Sequence, residues 1–237
     1  MAFLREPTGR EPIFRAPTSV VVLIALIVLA HIARILAPAA TSDHILESLA
    51  FIPARYLSWP TDAHAVIADV IPFIGYLFLH ANATHLIVNC LWLLAFGSAV
   101  ARRFGGTLFL ALFFISGIVA ALAQLAGSWG SGDAAIGASG AIAGIMGAGL
   151  RMVWLADPFG RREGLPLQPL LSRQVLVFSG VWVIANIITG TTGIGKLPGV
   201  GPIAWEAHIG GYFAGLLLAG PIDRAVVHEP SDSGIAA

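Results

Sequence analysis

The amino-acid sequence predicts an all-α, polytopic membrane protein with six transmembrane helices. Of its 237 residues, 57% are hydrophobic and only 11% are charged, whereas a soluble domain of this size carries about 25% charged residues. Apolar runs recur along the chain, and several approach the roughly 20 residues that a helix needs to cross a bilayer. The chain also has 27 glycines, which is typical of membrane helices that pack closely.

The six predicted spans are residues 19–36, 86–101, 108–126, 138–150, 175–189 and 203–222. The first run resembles a secretory signal, but its apolar stretch exceeds the roughly 7–15 residues usual for one. We interpret it as a retained helix whose Arg34 extends outward to the membrane surface. The chain then divides into an N-terminal segment (1–18), a six-helix membrane domain (19–224) and a polar tail (225–237).

Basic residues predict the orientation of the spans, because cytoplasmic segments are enriched in Lys and Arg. With the N-terminus inside, the outer side holds only Arg34, Arg55 and Lys196. The basic residues on the cytoplasmic side are then Arg5, Arg10, Arg15, Arg102, Arg103, Arg151, Arg161, Arg162, Arg173 and Arg224. Both termini are therefore predicted to be cytoplasmic.

One long connection joins the first two spans, over residues 37–84 on the predicted outer side; we call it the first connection. It contains the stretches FIPARYLSWP and IPFIGYLFLH, which are too apolar for a free linker. Long connections in compact domains usually have a structure or function of their own. We expect the first connection to pack on, or dip into, the edge of the membrane.

Composition excludes several classes of function. The formal net charge is zero, so no general attraction to nucleic acid is expected. The single cysteine, Cys90, rules out an internal disulfide framework and lies in an apolar stretch, where a packing role is expected. No metal-binding spacing of Cys and His is present.

The stretch GASG at the start of the fourth span holds an unusual serine. Ser139 precedes Arg151 by twelve residues, or about 18 Å of helix at about 1.5 Å per residue, whereas the hydrocarbon core is about 30 Å thick. If Arg151 marks the cytoplasmic boundary, Ser139 lies below the outer surface, and the loop GSWGSGD must descend to it. Irregular backbone at that depth requires surrounding protein or a water-filled cavity. The sequence therefore predicts a wet cavity with Ser139 at its floor.

Other polar residues are predicted at a similar depth. His85 and Asn89 are four residues apart at the start of the second span, so they share one helical face that should point inward. His208 lies about one turn into the sixth span. We expect these side chains to meet Ser139.

Small residues explain how the fourth and sixth spans could approach. Gly211 and Gly215 follow His208, and Gly140 and Gly144 follow Ser139. Such rows let helices pack closely, which would bring His208 toward Ser139.

These residue types together suit acyl transfer. A serine hydroxyl needs a base to take its proton, and a neutral imidazole suits that role. The resulting oxyanion needs hydrogen-bond donors, which Asn89, His85 and the backbone N–H of Ser139 could supply. Glu206 is two residues from His208 and faces elsewhere on a helix, so a Ser–His dyad is predicted. The expected roles of Asn186 and His80 are structural: an interhelical hydrogen bond and a bond that holds the first connection.

The residues resemble the rhomboid family of intramembrane serine proteases over about residues 51–220. FLHANATHLIVNCLWLLAFG is similar to the family's HxxxxHxxxN segment, GASGAIAGIMGA to its nucleophile segment, and AWEAHIGGYFAGL to its AHxxGxxxG segment. FIPAR is similar to a phrase common in the first connection of bacterial members. Order, spacing and topology agree.

The resemblance implies a six-helix rhomboid-like bundle with Ser139 and His208 as the dyad. It implies oxyanion contacts from His85, Asn89 and the Ser139 backbone. The implied activity is hydrolysis of peptide bonds in or beside transmembrane segments of membrane proteins, without metal or cofactor. Members usually admit substrate from the side near the second and fifth helices, here around Trp182. The compact form favours a bacterial inner membrane.

Two departures from the family pattern stand out. Many members carry an aromatic residue four positions after the serine, stacked against the histidine, but this chain has Ala143. Another group must hold His208, or its ring is looser. Some members also have a Trp–Arg pair in the first connection, which PFIGYLFLH lacks.

Two other functions are compatible with a polytopic membrane protein. An inactive rhomboid-like protein could bind and route membrane proteins, but such relatives typically lack the serine or the histidine. A small transporter should show inverted repeats and buried charge along a path. No convincing repeat is present, and the charges cluster at the ends of the spans.

Overall fold

The computed structural model describes residues 16–58, 62–152, 166–194, 199 and 203–227. The helices are α1 (Thr18–Leu36), α2 (Ala39–Leu49), α3 (Ala63–Val70), α4 (Pro72–Gly75), α5 (Ala83–Trp92), α6 (Ser98–Phe104), α7 (Gly106–Gly127), α8 (Ser139–Leu150), α9 (Arg173–Thr192) and α10 (Trp205–Val227). A π-helical turn, Leu93–Gly97, joins α5 and α6 into one helix, Ala83–Phe104. Most of the predicted terminal segments, 1–18 and 225–237, lies outside the described residues.

Within the described residues, four helices are long and apolar enough to span a membrane. They are Thr18–Leu36, Ala83–Phe104, Gly106–Gly127 and Arg173–Thr192. Their ends lie within three residues of the first, second, third and fifth predicted spans. The fourth and sixth spans correspond to α8, with 12 residues, and α10, with 23. The predicted all-α bundle of six helices is therefore confirmed, and the chain is a multi-pass integral membrane protein.

Helix α8 occupies the centre of the bundle. Ten of its twelve residues are buried, and it is apolar on every side, as expected of a helix surrounded by protein. Because its neighbours shield it, α8 does not need the length of a helix that meets lipid. This explains how a span that begins only at Ser139 can exist.

Helices α8 and α10 touch backbone to backbone. A Cβ atom added at Gly211 would overlap the carbonyl oxygen of Gly140, and one added at Gly215 would overlap that of Gly144. No side chain larger than hydrogen fits at these crossings. The small-residue rows therefore act as the sequence predicts, and they set the height of α10 against α8.

Helix α9 lies at the edge of the bundle, and only 11% of the residues in its most apolar 18-residue stretch are buried. Two interactions with Tyr212 of α10 attach it to the core. The Trp182 ring stacks on the Tyr212 ring with centroids 4.5 Å apart, and the Ser179 and Tyr212 hydroxyls are 2.7 Å apart. The remaining surface of α9 is apolar and suited to face lipid.

The first connection is folded and supports the loop that leads into α8. Phe51 and Ala135 exchange two backbone hydrogen bonds, of 3.1 and 2.8 Å. Further along, the Gly137 N–H donates to the carbonyl of Tyr76 at 2.9 Å. Phe51 and Tyr76 are themselves buried. The last residues of the descending loop, Ala135, Gly137 and Ala138, are buried against protein, as irregular backbone at this depth requires, whereas the earlier part of the loop is largely exposed.

Arg34, which is expected to extend outward to the membrane surface, contacts the first connection. Its Nη2 donates to the carbonyl oxygen of His80 at 2.8 Å, and its Nη1 lies 3.4 Å from Ser42 Oγ. The guanidinium is half-buried. Both partners belong to the connection that is predicted to lie on the outer side, and the position of the guanidinium at the membrane surface stays a prediction.

Candidate active site

The side chains of Ser139 and His208 meet where two helices begin. Ser139 is the first residue of α8, and His208 lies in the first turn of α10. Ser139 Oγ and His208 Nε2 are 2.8 Å apart, within hydrogen-bond distance. Both residues are half-buried. The structure thus brings together the two residues that the sequence predicts as nucleophile and base.

A sharp turn before α8 presents Ser139 to its surroundings. Gly137 has φ +115° and is buried, a conformation that residues with a Cβ rarely adopt. An added Cβ there would also lie 2.7 Å from His85 Cε1. As the first residue of the helix, Ser139 has a backbone N–H without an intrahelical acceptor. The turn therefore exposes both its hydroxyl and its N–H.

A cavity of about 350 Å³ opens beside these groups. Its polar lining includes His85, Asn89, Ser139, Asn186 and His208. Apolar side chains complete the wall, among them Trp92, Met146 and Trp182. The cavity therefore joins all four predicted site residues, and it lies where the sequence places one.

The two polar residues of α5 are arranged as donors. Asn89 is buried; its Nδ2 donates to the His85 carbonyl at 2.8 Å, which leaves a second N–H on that nitrogen. His85 Nδ1 lies 3.4 Å from the backbone nitrogen of Ala81, as acceptor. With Nδ1 accepting, the proton of the neutral ring resides on Nε2. Both side chains can thus donate toward the cavity.

Asn186 of α9 makes a contact that the sequence analysis did not anticipate. Its Oδ1 is 2.9 Å from His208 Nδ1, and its Nδ2 donates to the Trp182 carbonyl at 2.9 Å. The expected interhelical hydrogen bond exists, but its partner is the histidine that also contacts Ser139. One signal could have suggested this: a polar side chain on a lipid-facing helix should point into the protein.

Glu206 and Ala143, two residues considered as partners of His208, do not contact its ring through a hydrogen bond or a ring stack in the described structure. Glu206 faces away, as predicted, because its Oε1 accepts a hydrogen bond of 2.9 Å from Ser128 Oγ. Ala143 lines the cavity but offers no ring for stacking. The hydrogen bond that Asn186 Oδ1 accepts at His208 Nδ1 restrains the ring where many family members have an aromatic residue.

The backbone carbonyl of His80 links the first connection to Arg34 of α1. The Arg34 guanidinium donates to this carbonyl, while both ring nitrogens are buried and have no hydrogen-bond partner among the described residues. Burial, and secondarily the neighbouring His85, lower the pKa of His80 to about 3. The ring is therefore neutral at physiological pH, and the expected structural bond is made by the carbonyl instead.

Within the part of the chain that the structure describes, no three or more His, Cys, Asp or Glu side chains are grouped so as to hold a metal ion. The cluster instead has the chemistry of general-base and nucleophilic catalysis. An imidazole nitrogen lies beside a hydroxyl, and donors line the same cavity.

Comparison with known proteins identifies a family for the chain. The family model described as "Rhomboid domain" matches residues 68–224, which include all four predicted site residues. The chain is 26% identical over 166 residues to Rhomboid protease GlpG of Salmonella paratyphi A. It is 27% identical to the protein of that name from Salmonella newport, and 26% identical to that from Salmonella typhi.

Each of these alignments covers 69% of this chain and 52% of the relative. The chain therefore spans about half the length of the curated relatives it matches.

Proposed function

The chain belongs to the rhomboid family of intramembrane serine proteases, and on this premise we propose that it is an active serine endopeptidase. It hydrolyses peptide bonds in or next to transmembrane segments of membrane proteins. The observation that carries this proposal is the distance of 2.8 Å between Ser139 Oγ and His208 Nε2. No metal or cofactor takes part.

Acylation begins at the dyad. Ser139 Oγ attacks the scissile carbonyl carbon while His208 Nε2 accepts the hydroxyl proton. The carbonyl oxygen becomes an oxyanion, and its donors are the second Nδ2 proton of Asn89, the Nε2–H of His85 and the N–H of Ser139. The helix N-terminus adds a favourable partial charge.

The next two steps release the products. His208 gives its proton to the leaving amine, so the peptide bond breaks and Ser139 carries the acyl group. Water from the cavity then attacks the ester, with His208 as the base again. The Ser139 oxygen takes back a proton, and the enzyme returns to its starting state.

The position of the cavity supports a membrane-protein substrate. It is walled by α5, α8, α9 and α10, and its apolar side chains suit a segment that arrives from lipid. Trp92 and Trp182 lie on the helices between which the family admits substrate. Compared with its neighbours, α9 has few attachments to the bundle, which supports passage on that side.

The proposed location is a bacterial inner membrane with both termini in the cytoplasm. Salmonella relatives and the bias of basic residues support this.

Cleavage of a single-span reporter in liposomes tests the proposal. Wild type should cut it, whereas Ser139→Ala and His208→Ala should not, with all three proteins showing the same thermal unfolding midpoint. Cleavage that persists in Ser139→Ala refutes the proposal. A folded wild type that binds several reporters but cuts none favours the alternative, an inactive rhomboid-like binding or trafficking factor.

A further inference from the structure

We infer that Asn186 is a positioning residue that fixes the tautomer and the orientation of the His208 ring, an inference that rests on the proposed function. Asn186 acts on Ser139 through the histidine, because His208 bonds Asn186 with one ring nitrogen and Ser139 with the other. Its amide links the backbone of α9 to the imidazole of α10 by two hydrogen bonds of 2.9 Å.

The hydrogen bonds of the Asn186 amide determine its orientation. The Trp182 carbonyl oxygen can only accept, so the atom that faces it must be the Nδ2 donor. Exchanging the two amide atoms would place oxygen against oxygen at 2.9 Å. The amide therefore has one satisfactory orientation, and its Oδ1 faces His208 Nδ1.

The orientation of the Asn186 amide determines which nitrogen of the His208 ring carries the proton. Asn186 Oδ1 can only accept, so His208 Nδ1 must donate and carry the proton of the neutral imidazole. Nε2 is then unprotonated, and its lone pair faces the Ser139 hydroxyl at 2.8 Å. This is the tautomer that a general base requires. The opposite tautomer would direct an N–H at Ser139 and could not take its proton.

The Asn186 side chain is itself held in place by its neighbours on α9. Its χ angles are constrained by the bond to the carbonyl one turn back. That turn is fixed to α10, because the Trp182 ring stacks on Tyr212 and Ser179 bonds the Tyr212 hydroxyl. The acceptor and the ring it orients are therefore anchored to the same helix, α10. This support restrains the His208 ring, against which Ala143 supplies no aromatic side chain to stack.

Matched variants test the inference through kinetics. Asn186→Leu keeps the approximate size of the side chain without the acceptor, and Asn186→Asp keeps an acceptor oxygen. We expect kcat to fall about tenfold in Asn186→Leu, the cost of about one hydrogen bond, with KM within about twofold of wild type. Asn186→Asp should recover most of the loss.

Thr191→Val is the matched control on the same helix. It removes a hydroxyl that donates to the carbonyl four residues back, at Ile187, but lies exposed. Wild-type kcat is expected for Thr191→Val. Equal kcat in wild type and Asn186→Leu, or equal losses in Asn186→Leu and Asn186→Asp, would overturn the inference.

A spectroscopic measurement needs no Asn186 variant and covers the case in which these fail to fold. Protein labelled with ¹⁵N-histidine should show His208 protonated at Nδ1 and bare at Nε2, the signal being assigned by its loss in His208→Ala. A His208 ring protonated at Nε2 would overturn the inference.

The two proposals fail in different ways. A wild type that leaves the reporter as uncut as Ser139→Ala does refutes the proposed protease. A wild type that cuts no faster than Asn186→Leu refutes only the role of Asn186.

Discussion

The imidazole ring of His85 lies against the backbone of Gly137, where an added Cβ would come within 2.7 Å of Cε1 and 2.9 Å of Nε2. The loop before α8 therefore packs directly against the His85 ring of α5. This contact places the proposed oxyanion donor and the proposed nucleophile at a fixed separation.

Gly137→Ala should abolish most activity, because the new methyl group displaces either the ring or the turn. The φ of +115° at Gly137 adds backbone strain of about 1–3 kcal/mol. Reporter cleavage and thermal unfolding are the measurements.

Gly132→Ala is the control for this change. It lies in the same loop with open space around it and no left-handed backbone, so it should retain wild-type activity. Equal activity in the two variants would show that the contact between Gly137 and His85 is unimportant.

The crossing of α8 and α10 gives a prediction about stability. Gly215→Ala should lower the free energy of unfolding by about 1–3 kcal/mol or more, because its Cβ would overlap the carbonyl oxygen of Gly144. The shift should also misplace His208 and reduce cleavage. Unfolding in a denaturing detergent series measures the first effect.

Gly180→Ala provides the comparison on α9. Among the described residues, nothing beyond the neighbouring backbone of its own helix lies within 4 Å of its added Cβ, and alanine is the better helix former by about 0.8–1.0 kcal/mol. Its stability should equal or slightly exceed that of wild type. A Gly215→Ala protein as stable as Gly180→Ala would mean that the two backbones do not meet.

Much of this architecture could be predicted from the sequence, because local composition determines it. Apolar runs predict four of the long helices to within three residues, since a helix in lipid must satisfy its own backbone groups, whereas α10 extends five residues beyond the predicted end of its span. The glycine rows predicted the approach of α8 to α10. The position of Ser139 at the first residue of α8 followed from the polar loop before it and the apolar run after it.

The parts that could not be predicted depend on rotation and on backbone partners. A polar side chain on α9 is expected to point into the protein, but the apolar sequence around it does not show that Asn186 meets His208; the stack of Trp182 on Tyr212 sets that rotation. Arg34 bonds a carbonyl 46 residues away. Because every residue has a backbone carbonyl, the sequence does not show which carbonyl an arginine side chain bonds.

The buried ring of His80 predicts a loss of stability in acid. The groups that face it are His31, His85 and Arg34. Its pKa is about 3 in the folded protein and about 6.5 when the chain unfolds. The unfolded state therefore binds more protons between these values, so stability is full above about pH 6.5 and declines as the pH falls toward 3.

Thermal unfolding midpoints at pH 7.5 and pH 5 measure this decline. His80→Leu should reduce the difference between the two midpoints, because the variant has no ring to protonate at that position. His31 and His85 remain in the variant and contribute to any residual difference. An identical pH dependence in both proteins would argue against burial of a neutral His80 ring.

The substrate segment must open locally before Ser139 can reach a carbonyl, since helical backbone hides its carbonyls in hydrogen bonds. Gly and Pro weaken a helix by about 1 and 3 kcal/mol relative to Ala. Replacing such residues near the cleaved bond of a reporter by Leu or Ala should slow turnover by wild type. Unchanged turnover across such a series would contradict the need for local unwinding.

The most direct test of the central claim is to map a fluorophosphonate adduct by mass spectrometry on the purified protein in lipid. An adduct is expected on Ser139 in wild type, none at that position in Ser139→Ala, and much slower labelling in His208→Ala. An adduct confined to another residue, or labelling of Ser139 at the wild-type rate without His208, would contradict a serine activated by that histidine.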